Sequence, residues 1–117
     1  MSKRVILDTN QIISAGVRWM DPMYFHDGND AVELIKVVFS KHVGLASSKI
    51  LAEYLEKLVD KNVKHELATE LIKRLWGAFE IITTTSTSCN PAPSDPDDLI
   101  FMLCAIDGKA DILVSND

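Results

Sequence analysis

Four short apolar runs rich in β-branched residues constrain this chain more than any other feature. They are "RVILD" from residue 4, "HVGLAS" from residue 42, "FEIITT" from residue 79 and "DILVS" from residue 111. Each has the length and composition of a strand, and segments of helical period stand between them. That alternation predicts an α/β three-layer sandwich with a mostly parallel central sheet, joined by right-handed crossovers. Residues 1–117 read as a single domain, long enough for one core.

The intervening segments carry their own punctuation. In "TNQIISAG", Thr9 or Asn10 suits the helix cap and Gly16 the stop. Pro22, Gly28 and several polar residues make 17–30 a loop. "AVELIKVVFSK" has the period of a buried helix that starts after Asp30 as its cap. "SKILAEYLEKLVDK" is the clearest helix, with Ile50, Leu51, Tyr54, Leu55, Leu58 and Val59 on one face. A further helix is expected over "VKHELATELIKRLWGA". "TSTSCNPAPS" reads as a loop, and "DPDDLIFMLCAIDGKA" opens a last helix that Gly108 ends.

Several function classes are disfavoured. No apolar run approaches the ~20 residues needed to cross a bilayer, and "MSKRVILDTN" lacks a signal-peptide pattern. The expectation is a cytoplasmic protein with no membrane partner. Cys89 and Cys104 have no CxxC around them and read as reduced thiols. The net charge of -5 opposes broad affinity for nucleic acid, unless the acids gather in one site and a metal neutralises them there.

Where the acids fall therefore matters more than their sum. Asp8 ends the first strand, and Glu53 lies in the second turn of the helix after the second strand. Asp95, Asp97 and Asp98 open the helix that leads to the fourth strand, and Asp117 follows that strand. In parallel α/β units all these positions map to the carboxyl edge of the sheet, where ligands of open sheets bind. Each acid also has a purely structural reading. Asp8 suits a helix cap, and Glu53 is spaced for i,i+4 pairs with Lys49 and Lys57. Asp95 and Pro96 suit an N-cap and first helical residue, with Asp97 and Asp98 favoured by the helix dipole. Jointly these readings weaken. Two unit charges ~4 Å apart repel by about 4 kcal/mol at an effective dielectric near 20, so a converging set must protonate or bind cations. Oxygen ligands without nearby His or Cys suit Mg²⁺ or Mn²⁺ rather than zinc.

Three stretches, "VILDTNQIISA", "SKILAEYLEKL" and "DPDDLIFMLCAIDGKADILVSND", resemble in order the three blocks of PIN-domain ribonucleases, most closely the VapC-like toxin branch. The third is the most specific: an acid, an apolar helix ending near Gly108, an apolar strand, then Ser-x-Asp. Residues 17–43 and 83–93 match nothing particular. The resemblance implies a PIN-like fold whose metal-binding acids are Asp8, Glu53, Asp98 and Asp117. Asp98 is preferred over Asp95 and Asp97 because it stands seven residues before Ala105, as in the family pattern. Asn10 and Ser115 match the polar residues that support the first and last acids. The implied activity is a Mg²⁺- or Mn²⁺-dependent endoribonuclease acting on RNA, often a homodimer and often inhibited by a co-encoded protein antitoxin. Relatives usually continue through another helix and strand, so the C-terminal part of the usual domain is expected to be missing here.

Divalent ions would supply both an activated water and charge neutralisation, so no side chain need be the nucleophile. His26, His42 and His65 lack metal-ligand spacing and suit structural or surface roles. Lys49, Lys57, Lys61 and Lys64 either steer a phosphate backbone or form a solvated helix face. Trp19, Tyr24 and Phe25 either stack on unpaired bases, line a dimer interface or pack onto the domain. The main rival is a PIN-like domain that binds RNA or a protein partner without cutting. A haloacid dehalogenase phosphatase needs a second aspartate where Asn10 stands. A receiver domain needs a strand-end aspartate that neither "FEIITT" nor "HVGLAS" provides.

Overall fold

β1 (Arg4–Leu7) lies between β2 (Val43–Ala46) and β4 (Ile112–Val114), and β3 (Glu80–Ile81) flanks β2, giving the order β3-β2-β1-β4. All pairs are parallel, with Val5 opposite both Gly44 and Ile112 and Leu45 opposite Glu80. The computed structural model describes the backbone of residues 2–20 and 30–115, and the side chains of 2–14 and 33–115. The central strand is covered on both faces, which is why its sequence is continuously apolar: Val5, Ile6 and Leu7 are all buried. Helices α1 (Thr9–Met20), α2 (Asp30–Lys41), α3 (Ser48–Asp60) and α4 (His65–Ala78) precede β3, and α5 (Leu99–Gly108) leads into β4. The steps β1 to β2 and β2 to β3 run in one direction across the sheet, and the step to β4 returns. Right-handed crossovers then place α1–α4 on one face and α5 on the other, the expected three layers.

The boundaries move from the expected ones for identifiable reasons. α1 continues through Gly16 to Met20, and Thr9 and Asn10 are helical rather than caps. Asp8 precedes the helix, and its main-chain carbonyl accepts the Gln11 N–H at 3.0 Å. A mid-helix glycine costs about 1 kcal/mol, which the packing of α1 against α2, α3 and α4 offsets. The expected loop is therefore helical over 17–20, and Asp30 opens α2 from inside rather than capping it. Residues 21–29, with Tyr24, Phe25 and His26, lie outside the described residues, as does the side chain of Trp19. β3 is shorter than "FEIITT" because Phe79 closes α4 as its C-cap. Beyond the strand, Ile82 N–H still donates to the Ala46 carbonyl at 2.8 Å.

Two glycines act through close approach, without any left-handed backbone. A Cβ on Gly44 would overlap the ring of Phe79, so β2 and the end of α4 meet there without a side chain between them. A Cβ on Gly108 would stand 3.0 Å from Ile82 Cγ1 and 3.1 Å from Leu45 Cδ1. The left-handed residue ending α5 is Lys109, at φ 54.

At the amino edge, the Arg4 guanidinium reaches across β2 to the Glu80 carboxylate, and its Nε donates to the Gly108 carbonyl at 2.8 Å. The neighbouring carboxylate holds the Arg4 pKa up, and the guanidinium holds the Glu80 carboxyl below its usual range. The segment after β3 is tied to α5 by Asp107, whose carboxylate accepts the Thr85 N–H at 2.6 Å and the Ser86 N–H at 2.9 Å.

The glycines supply a paired prediction. Gly44→Ala must displace Phe79 and is expected to lower unfolding stability by about 1–3 kcal/mol. Gly77→Ala, in α4 with open space around it, is expected to raise stability by roughly 0.5–1 kcal/mol. Urea denaturation of both variants checks the two signs.

Candidate functional site

The carboxyl edge of the sheet is assembled from strand pairing outwards. Asp8 N–H donates to the Val114 carbonyl at 2.9 Å, extending the β1–β4 ladder by one residue. That pairing sets Asp8 beside Ser115, whose hydroxyl donates to Asp8 Oδ2 at 3.2 Å. The Asp8 carboxylate thus reaches across the sheet edge to β4, while its main chain serves α1. Asn10 is exposed in the first turn of α1.

Glu53 arrives from α3. The Ser47 hydroxyl accepts the Ile50 N–H at 3.2 Å and starts the helix as an N-cap. Ile50, Leu51, Tyr54 and Leu58 form its buried face. Tyr54 is fully buried, and its hydroxyl donates to the carbonyl of Leu7, the residue before Asp8. A buried tyrosine needs such a partner, and this one fixes the rotation of α3 so that Glu53 flanks the strand end. The i,i+4 pairs with Lys49 and Lys57 that the spacing of Glu53 allows do not form. Instead, Glu53 Oε2 is buried with no hydrogen-bond partner. Burial pushes its carboxyl above the usual range, Lys57 opposes this, and Glu56, Asp97 and Asp8 add to it.

The third group is a short 3₁₀ turn, Pro96–Asp98, which leads into α5. Asp95 caps it as the sequence suggests: its carboxylate accepts the Asp97 N–H at 2.9 Å and its carbonyl the Asp98 N–H at 3.0 Å. Asp98 is half-buried, whereas Asp95 and Asp97 are exposed.

Asp8, Asn10, Glu53, Asp95, Asp97 and Asp98 line one open cleft of about 380 Å³. A smaller depression of about 100 Å³ adjoins it, sharing Asp8 and Asp98 and adding Ser115 against an apolar wall of Phe101, Met102 and Leu113. The structure thus gathers three of the four expected acids and both supporting residues; Asp117 lies outside the described residues. The all-oxygen donor set and the unpartnered Glu53 oxygen fit a hard divalent cation. As they stand, no three His, Cys, Asp or Glu side chains among the described residues are close enough to hold one ion together.

The remaining candidates fall elsewhere. His42 sits at the amino edge, where its Nδ1 accepts the Lys3 N–H at 3.0 Å, and His65 is exposed at the start of α4. Cys89 and Cys104 are both free, and burial pushes the Cys104 thiol up to about 11. Sequence reasoning placed Tyr54 on an apolar face but missed its hydroxyl bond. The available signal was a tyrosine at a core position where Phe or Leu would pack as well.

A family model described as the PIN domain matches residues 4–117. No curated protein and no solved structure matches the chain. Among the described residues no helix is long and apolar enough to cross a membrane.

The raised Glu53 pKa gives a signed expectation. Between the ordinary value of 4.5 and its raised value, the folded protein keeps a proton that the unfolded chain has lost. Stability therefore falls as pH rises through that window and stays lower above it. A neutral amide costs less to bury than a carboxylate, so Glu53→Gln is expected to melt higher than wild type at pH 7 without added metal. That advantage should disappear below pH ~4, where both forms are neutral; melting curves across pH test it.

Proposed function

The chain belongs to the PIN-domain family, and from that membership we propose that it is a metal-dependent endoribonuclease, the toxin component of a toxin–antitoxin pair. PIN domains are generally nucleases acting on nucleic acid. The finer reading gives it RNA as substrate, Mg²⁺ or Mn²⁺ as cofactor, a cytoplasmic setting, a protein antitoxin and a homodimeric state. The observation that supports it best is the meeting of Asp8, Glu53 and Asp98 in one cleft, with a buried Glu53 oxygen that no protein group satisfies.

In this reading Asp8, Glu53, Asp98 and Asp117 hold the divalent ion. Once bound, the ion supplies an acidified water and neutralises charge on the phosphate oxygens. The chain's own groups prepare for this. Ser115 orients the Asp8 carboxylate through its hydroxyl. Tyr54 is a positioning residue that holds Glu53 against the end of β1. Asn10, in the first turn of α1, supports the polar rim of the cleft. Phe101, Met102 and Leu113 keep one wall of the adjoining depression dry.

A second reading, a PIN-like domain that binds RNA or a protein partner without cutting, draws on a different observation. No three carboxylates among the described residues stand close enough to hold one ion together.

Cleavage of a mixed set of RNAs with Mn²⁺ or Mg²⁺, and again with EDTA, separates the two readings. The expected outcome is metal-dependent cutting that falls by about a hundredfold or more in Asp8→Asn, the scale on which loss of one charge-stabilising group acts. Mn²⁺ should also raise the melting temperature of wild type more than that of Glu53→Gln. A folded wild type that neither cuts nor gains stability from Mn²⁺ would favour the binding-only domain.

A further inference from the structure

Lys49, Glu53, Lys57 and Lys61 stand four residues apart along α3 and its C-cap, so they form one gently winding stripe with about 6 Å of rise per step. Lys57 and Lys61 line the acidic cleft. Lys49 lines a second depression, of about 320 Å³, which shares Glu53 and Asp97 with the cleft. The cleft and this depression meet at Glu53 and Asp97, with one lysine on one side and two on the other. Lys64, the fourth lysine of the sequence pattern, is the N-cap of α4 and lines neither.

None of these three ammonium groups has an ion-pair or hydrogen-bond partner among the described residues, although carboxylates surround them. Elsewhere the same helical spacing does produce pairs: Lys36 with Glu33 and Arg74 with Glu70, each at 3.4 Å. Compensation of the helix dipole accounts for cations near the end of α3, at Lys57 and Lys61. It does not account for Lys49, in the first turn, where a positive charge opposes the dipole.

The geometry points to a phosphate-binding rail along α3: a single-stranded RNA backbone crosses the acidic cleft, held by Lys49 on one side of Glu53 and by Lys57 and Lys61 on the other. This rests on the nuclease reading above. A single track of cations contacts one backbone, which suits a single strand better than a duplex. The division of labour follows from charge. The acids would hold a metal cation at the reacting phosphate, and the flanking phosphates need cations of their own.

The test measures binding apart from cutting. A short fluorescein-labelled single-stranded RNA of mixed sequence is titrated, with Mn²⁺ present and over a range of salt, against Asp8→Asn protein with and without Lys49→Ala, Lys57→Ala and Lys61→Ala. Each lysine removed should flatten the slope of log K against log[salt] by about 0.7, so by about 2 for all three. In the otherwise wild-type chain the triple variant should raise KM about tenfold while kcat stays within about twofold. Replacement of the three lysines by arginine should preserve the slope, and Lys73→Ala, exposed on α4, should leave it unchanged. An unchanged slope in the triple variant, or a loss confined to kcat, overturns the rail. A wild type that shows the lysine-dependent slope but never cuts supports the rail and overturns the nuclease reading instead.

Discussion

Parallel pairing of β1 on both sides is the constraint from which the remaining organisation follows. Because β2 and β4 run in the same direction as β1, their carboxyl ends lie along one edge, and the helices that follow β1 and β2 begin there. Asp8 and Ser115 then meet as adjacent strand ends, with the Asp8 N–H completing the ladder to Val114. The Tyr54 hydroxyl fastens α3 to the last carbonyl of β1 and brings Glu53 to the same place. The opposite edge is fastened independently by Arg4, which joins β1, the start of β3 and the end of α5.

The two edges use charge in opposite ways. At the amino edge the Arg4–Glu80 pair is self-sufficient, and each partner stabilises the ionised form of the other. The Asp107 carboxylate is likewise satisfied by Thr85 and Ser86, and these hydrogen bonds hold its pKa down. At the carboxyl edge Ser115 donates to Asp8, but Glu53 lacks such compensation. Glu53 is partly desolvated among other carboxylates, and one of its oxygens has no donor. Such a group weakens the fold, and in the proposed reading a bound cation would offset that cost. The proposed activity and the local electrostatic cost share one origin.

Much of the fold was legible in the chain because apolar period and length distinguish strands from helices locally. Among the described residues, the four strands, the five α-helices and the parallel class follow from that pattern. Errors arose where a residue's local preference competed with a contact made far along the sequence. Gly16 looks like a stop, yet α1 runs through it because α1 is packed against three other helices. Gly108 ends α5 as the sequence suggests, but Lys109 takes the left-handed conformation, while Gly108 makes room for Ile82 and Leu45. Phe79 belongs to a strand-like run, but Gly44 opposite leaves space for its ring at the end of α4.

For the site, the sequence by itself determined which residues were candidates: acids at strand ends and helix starts, an Asp-Pro cap, and lysines at i+4 intervals around Glu53. These depend on local order along the chain, which a reader of the sequence can follow. Only the tertiary structure decided that Glu53 pairs with neither lysine, that Ser115 bonds Asp8 and that Lys57 and Lys61 share the cleft with the acids. Each of those outcomes depends on how deeply a side chain is buried and on which way its helix is turned. That turn is set by contacts such as Tyr54 to Leu7, between residues 47 positions apart, and no local pattern encodes them.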